Sequence, residues 1–319
     1  MKNIRQGAFQ LHSRQNLFLI AAMSFQNLIH LKDFERGQVD DLMETAFAIK
    51  RGSVELPLFF GKKPILATFF LENSTRTKLS FTVAAKRLGA EVLDFPVSTS
   101  SLSKGESLEA SFQCLEAFGV DGIVFRGSDS VLSDISAKIT TPIVSGGEGN
   151  SGHPTQALLD YMSFLEDFKS LQGKRLLIAG DLKHSRVFAS HRELAKLMGV
   201  DLVFSGPDHF LPSEGYGQKM DFQEAIESSD MIMLLRVQNE RHEAEGHIED
   251  YNQSYGLNLD KLKKLKASAK IYHPGPYNIG VEITEDVLKD SRCRIWDQVE
   301  NGVYLRMAVL KNILGERKQ

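Results

Sequence analysis

Apolar residues along the chain fall into two alternating rhythms. Unbroken runs such as "ILATFF" at 65–70 and "LLIA" at 176–179 alternate with stretches in which apolar positions recur every three or four residues, as Phe81, Ala84, Ala85 and Leu88 do. The first rhythm belongs to strands buried on both faces, the second to amphipathic helices. A helix is expected at 42–50, and strands at 65–70, 91–95, 122–125 and 142–144, then at 175–179, 202–204, 231–235 and 271–273. Strands separated by helical stretches imply parallel sheets with crossover helices. The expected fold is therefore α/β: two doubly wound domains, each a parallel sheet flanked by helices, joined by linker helices.

The break between the two sets of strands is the glycine-rich "GGEGNSG", which runs into a helix expected from Pro154 to just before Gly173. Its Ala157, Leu158, Tyr161, Met162 and Leu165 form one apolar stripe, so that face must pack on something. A last helix is expected at 303–314. The division that results is 1–152, with the C-terminal helix 303–319 returning to it, and 153–302, which includes the linker helix.

Composition narrows the class. The chain has 319 residues, 42% of them hydrophobic, enough for two domains with separate cores. Acidic residues number 41 and Lys plus Arg 38, for a net charge of −3, so no global attraction to nucleic acid or to an anionic membrane is expected. Any anion site must be local. Two cysteines, Cys114 and Cys293, with no CxxC and no Cys/His cluster, fit a reducing, cytoplasmic setting without a metal. The run "LFLIAAM" at 17–23 is far short of the about 20 apolar residues that span a bilayer, and is read as a segment docking on the core.

The chemistry gathers at strand ends. After the strand at 65–70, "ENSTRTKLSF" places Ser74, Thr75, Arg76 and Thr77 at the first turn of the next helix. Unpaired N–H groups and the positive end of the helix dipole favour an anion there. Ser74 or Thr75 as the cap accounts for one hydroxyl, but Arg76 opposes the dipole unless an anion lies between; a capped helix with a solvated arginine is the plainer alternative. Arg126 closes "DGIVFR", Arg186 follows "LLIAGDLKHS", and Arg236 closes "MIMLL". Ligands of open α/β sheets bind at such ends. Each close arginine–anion contact is worth up to about 4 kcal/mol of Coulomb energy at an effective dielectric near 20, before desolvation. His153 and Gln156 open the linker helix, where the dipole disfavours imidazolium and leaves a neutral ring able to donate to a carbonyl. "HPGP" at 273–276 is a rigid turn whose backbone carbonyls can hold an NH2 group. No GxxxxGK[ST], GxGxxG after a strand, GxSxG or HExxH occurs.

Together "FLENSTRT", "SSLSKGE", "HPTQALLD", "GDLKHSR", "LLRVQNER" and "HPGP", in this order, resemble the aspartate/ornithine carbamoyltransferase family over about residues 27–314. The resemblance implies a carbamoyl phosphate domain (1–152 with 303–319) and an aspartate domain (153–302). It implies Ser74, Thr75, Arg76 and Thr77 around the phosphate. Thr77, Arg126 and His153 fall around the carbonyl oxygen, and Gln156, Gly275 and Pro276 at the carbamoyl nitrogen. Arg186, Arg236 and Gln238 fall on the carboxylates of aspartate. Ser100 and Lys104 would reach a neighbouring subunit's site in a homotrimer. No cofactor is implied, and the partners are carbamoyl phosphate and L-aspartate, with a regulatory chain or a dihydroorotase as possible companions in pyrimidine synthesis. Lys78, Thr82 and Ile279 depart from the family's commoner residues. Three alternatives remain: an ornithine or other amino-acid carbamoyltransferase, against which HPGP and RVQ stand where H-C-L-P and S-M-G are usual; a non-catalytic scaffold subunit; and a dinucleotide-binding protein, which lacks the glycine fingerprint.

Overall fold

The computed structural model describes residues 25–59, 61–237 and 251–315. The run at 17–23 and Gln238 lie outside the described residues. The first half comprises α1 (Arg36–Lys50), β1 (Ile65–Phe70), α2 (Thr75–Leu88), β2 (Glu91–Asp94), α3 (Leu108–Ala117), β3 (Gly122–Gly127), α4 (Leu132–Ser136) and β4 (Ile143–Glu148). After α5 (Pro154–Phe168) come β5 (Arg175–Ala179), α6 (Arg186–Met198), β6 (Asp201–Ser205), β7 (Gln218–Lys219), α7 (Phe222–Ser228) and β8 (Met231–Leu234). The chain continues with α8 (Tyr251–Ser254), α9 (Leu259–Leu262), β9 (Lys270–Tyr272), α10 (Glu285–Lys289) and α11 (Ile295–Leu314).

The strands form two sheets, β2-β1-β3-β4 and β7-β6-β5-β8-β9, and every neighbouring pair is parallel. In the first sheet the chain moves outward from β1 to β2, then returns past β1 to β3. In the second it moves from β5 to β6 and β7, then returns to β8. Each reversal leaves a crevice at the carboxyl ends of the strands beside it, β1/β3 and β5/β8. The strand β7 goes beyond the expectation: it is two polar, exposed residues long, too short and too polar for an apolar run to reveal.

Each sheet is apolar on both faces. Phe69, Phe112 and Phe125 pack on one face of the first, and Leu177, Val203 and Ile232 on one face of the second. The remaining faces share a single apolar cluster that runs from Leu66 and Phe81 through Leu158 and Leu305 to Ile178 and Phe188. Helix α11 lies along α1, α2 and α5 and supplies much of that seam. It begins at Ile295, earlier than its apolar periodicity, because its inward positions Gln298, Asn301 and Gly302 are polar or bare. Among the described residues no helix is long and apolar enough to cross a membrane.

Candidate active site

A cavity of about 640 Å³ opens where the two crevices face each other. Of the sequence-derived candidates it is lined by Ser74, Thr75, Arg76, Thr77, Arg126, His153, Gln156, Arg186, Arg236, Gly275 and Pro276. Arg126 lies at the end of β3, and Arg76, Arg186 and Arg236 follow β1, β5 and β8; these are the four strands that flank the two reversals.

The first turn of α2 is built to leave its donors available. Ser74 occupies the cap position with extended backbone, φ −154° and ψ 105°, yet its hydroxyl makes no capping hydrogen bond. The expectation that it spends its oxygen on the helix is thus corrected, and Ser74 and the first turn of α2 both line the cavity. At α6, by contrast, Ser185 does cap, accepting from the Phe188 N–H at 3.2 Å, so the Arg186 guanidinium is presented from a fastened first turn. Arg126 owes its placement to a slip in the ladder between β3 and β4, where Phe125 faces Ser145 but Gly127 faces Glu148. The extra residue on β4 re-aims the strand end. Gly147 there has φ +113°, and a Cβ would meet Arg126 Nη1 and Arg186 Cδ, each at 3.2 Å. Gly275 is similar, with φ +64° and the Arg76 guanidinium carbon 2.7 Å from where a Cβ would stand.

Glu72, which sequence reasoning passed over although it stands in "FLENSTRT", joins the two halves. Its Oε2 lies 3.3 Å from Arg126 Nε and accepts from Arg186 Nη2 at 2.7 Å. Arg126 also donates to the Gly146 carbonyl at 3.1 Å. Burial, with repulsion from Arg186 behind it, lowers the Arg126 guanidinium to about 10 against the opposing pull of Glu72, so it remains cationic at neutral pH. Asp181, His184 and His273 line the cavity too; they stand in the quoted "GDLKHSR" and "HPGP" but were given no role, although an Asp at a strand end was an available signal.

His153 is buried, with Nε2 3.3 Å from the Thr77 hydroxyl and Nδ1 without a hydrogen-bond partner among the described residues. Its main-chain N–H donates to Ser190 Oγ at 2.9 Å. Burial first, then the charges of Arg126, Arg306 and Arg186, hold the imidazole well below its ordinary pKa. The ring is neutral at physiological pH and offers one donor and one acceptor. Gln156 donates to Asp160 Oδ1 at 2.9 Å. The turn at 273–276 is pinned twice: the His273 N–H donates to Gln298 Oε1 at 2.9 Å, and the Gly275 N–H to His273 Nδ1 at 2.8 Å.

Two candidates do not join them. Ser100 and Lys104 sit on the helical turns after β2, Lys104 exposed, and neither lines this cavity. The three departures from the family pattern also lie off the cavity. Lys78 pairs with Asp94 at 2.7 Å, Thr82 donates back to the Lys78 carbonyl at 3.0 Å, and Ile279 is exposed.

Two family models cover most of the chain: aspartate/ornithine carbamoyltransferase, carbamoyl-P binding domain, over residues 26–166, and the Asp/Orn binding domain of the same family over 172–313. The chain is similar to aspartate transcarbamoylase from Trypanosoma cruzi solved with carbamoyl phosphate. Identity is 26%, the TM-score 0.85, and coverage 93% of this chain and 98% of that one. It is likewise similar to the same enzyme solved with carbamoyl phosphate and aspartate, at 25% identity and a TM-score of 0.84, over 95% of this chain and 100% of that one.

Proposed function

The chain belongs to the aspartate/ornithine carbamoyltransferase family, and from that premise we propose that it transfers the carbamoyl group of carbamoyl phosphate to the α-amine of L-aspartate. The products are N-carbamoyl-L-aspartate and phosphate. The observation that carries the reading is the convergence of Arg76, Arg126, Arg186 and Arg236 from both sheets on one cavity that also holds a neutral His153. One phosphate and two carboxylates use that much positive charge. A cationic amino-acid side chain, as in ornithine, does not.

In this reading the open end of α2, with Ser74, Thr75, Arg76 and Thr77, receives the phosphate. Arg126, Thr77 and His153 surround the carbonyl oxygen, and Arg186, Arg236 and Gln238 take the aspartate carboxylates. The uncharged α-amine attacks the carbamoyl carbon and forms the C–N bond. Charge then develops on the carbonyl oxygen, where a cation and two neutral donors are already oriented. The C–O bond to phosphate breaks, and the departing phosphate takes the amine proton. Alignment of two anions supplies the rest of the rate, and the many fixed donors serve it.

Division into a carbamoyl phosphate domain, 1–152 with 303–319, and an aspartate domain, 153–302, is supported by the two sheets and by α11 packing on α1 and α2. A homotrimer with shared sites is supported by Ser100 and Lys104 lying away from their own chain's cavity. Exposed Leu79 and Val83 on α2, and Trp296 on α11, point the same way. We place the protein in the cytoplasm, in pyrimidine synthesis, where a regulatory chain or a dihydroorotase is a companion that sizing in cell extract detects.

The test is phosphate release from carbamoyl phosphate with aspartate or ornithine as acceptor, with Arg76→Ala alongside. Aspartate-dependent turnover is expected, with a loss of about 10²–10³-fold in the variant, the effect of removing one preorganised donor. A folded wild-type protein that turned over ornithine, or neither acceptor, would overturn it.

A further inference from the structure

Beneath the cavity lies a carboxylate that no step above employs. Asp160, one helical turn beyond Gln156 on α5, is fully buried. Its Oδ1 accepts from Gln156 Nε2 at 2.9 Å and from Gln298 Nε2 at 2.7 Å, while Oδ2 lies 2.9 Å from His191 Nε2. A carboxylate only accepts, so it decides which way round each amide stands. Gln156 must turn its NH2 inward, which leaves its carbonyl oxygen as the polar end for the cavity it lines. Gln298 must do the same, and its oxygen is then free to accept the His273 N–H at 2.9 Å, fastening the start of the turn that carries Gly275 and Pro276.

We propose that Asp160 is a positioning residue that makes the site selective for an NH2-bearing acyl phosphate. Through one oxygen atom it sets two acceptors from distant parts of the chain: the Gln156 carbonyl on α5, and the turn after β9 by way of α11. Gln156, Gly275 and Pro276 line the part of the cavity where the family resemblance sets the carbamoyl nitrogen, and the inference rests on the proposed function. An acyl phosphate of the same shape with CH3 in place of NH2 has no N–H for either acceptor. It would leave both desolvated and unpaired, a penalty that separates ligands far more sharply than shape does. Without Asp160, Gln156 is free to rotate its amide and present NH2 to the ligand, and the distinction disappears.

The experiment measures dissociation constants of carbamoyl phosphate and of acetyl phosphate by calorimetry, for the wild-type protein, Asp160→Leu and Asp160→Ala. The leucine removes the acceptor at similar volume, and the alanine leaves room for water if the leucine does not fold. Carbamoyl phosphate affinity is expected to fall tenfold or more, with acetyl phosphate changing less than twofold, so that the wild-type preference collapses. Equal loss for both ligands would mark Asp160 as a fold residue only, and an unchanged preference would show that it does not orient the site; either overturns the proposal. Should neither variant fold, neutron diffraction from wild-type crystals locates the deuterons of Gln156, and a carbonyl facing Asp160 sinks the idea. Wild-type turnover separates the two levels: without it the proposed function fails, whereas with it and an unmoved preference only the role of Asp160 does.

Discussion

His153 shows how much one residue's surroundings can alter its chemistry. A histidine at a helix start is ordinarily a cap or a packing residue; here burial and three arginines remove its charge. The shift makes it a neutral donor beside Thr77, and it also couples folding to pH. The folded pKa lies below the unfolded value of about 6.5. As pH falls past that value the unfolded chain takes up a proton that the folded chain refuses, so the histidine's contribution is intact above it and is lost below. The slope is at most about 1.4 kcal/mol per pH unit for one proton. His273, buried and shifted in the same direction, adds to it. Thermal melts at pH 7 and pH 5.5 are therefore expected to show acid destabilisation that shrinks in His153→Gln; an unchanged or steeper pH dependence in the variant would contradict this assignment. The four arginines were legible one by one in the sequence, each at a strand end. Glu72, Asp160 and Asp181 were not, because a carboxylate's role here depends on which cation or amide it meets, and those partners lie up to 138 positions away.

At the scale of elements, every strand but β7, and the helices α1, α2, α5 and α11, followed from apolar runs and periodicity, and the misses have physical causes. Strand β4 runs on through Ser145, Gly146 and Gly147 to Glu148, residues with no apolar signature that are buried nonetheless. Helix α11 starts early because its first turns face a polar network rather than a core. The turn between β9 and α10 illustrates an element defined by its neighbour. Gly275 combines a left-handed φ of +64° with a guanidinium 2.7 Å from its missing Cβ. An alanine there faces both a backbone penalty and a clash with Arg76, in a loop rather than a core. Gly275→Ala is thus expected to lower kcat by at least tenfold, with a melting temperature reduced by only a few degrees, about 1 kcal/mol of backbone strain. Melting and steady-state turnover on one preparation check it, and a variant of wild-type activity would show that the Arg76–Gly275 contact does not shape the site.

At the scale of the whole molecule, the proposed homotrimer shares its sites between chains, so that Lys104 and Arg76 of one chain would serve different cavities. Lys104→Ala and Arg76→Ala proteins, each inactive alone, are then expected to regain a fraction of wild-type turnover when dissociated and reassembled together, because some hybrid sites take Arg76 from one chain and Lys104 from another. Persistent inactivity in hybrids confirmed by chromatography would count against shared sites. The amino-acid sequence alone determined the two parallel sheets, the four cations at strand ends and the family, since alternation, helix-end chemistry and ordered motifs are local properties of the chain. Tertiary structure decided what those cations face. Only the reversals of strand order, the bulge at Arg126 and the seam along α11 bring β1, β3, β5 and β8 to one cavity. Only packing could bury Asp160 against Gln298, 138 positions away on α11, and so join its helix neighbour Gln156 to the turn after β9. Long-range geometry of that kind follows from how the layers fit together, and no window of residues carries it.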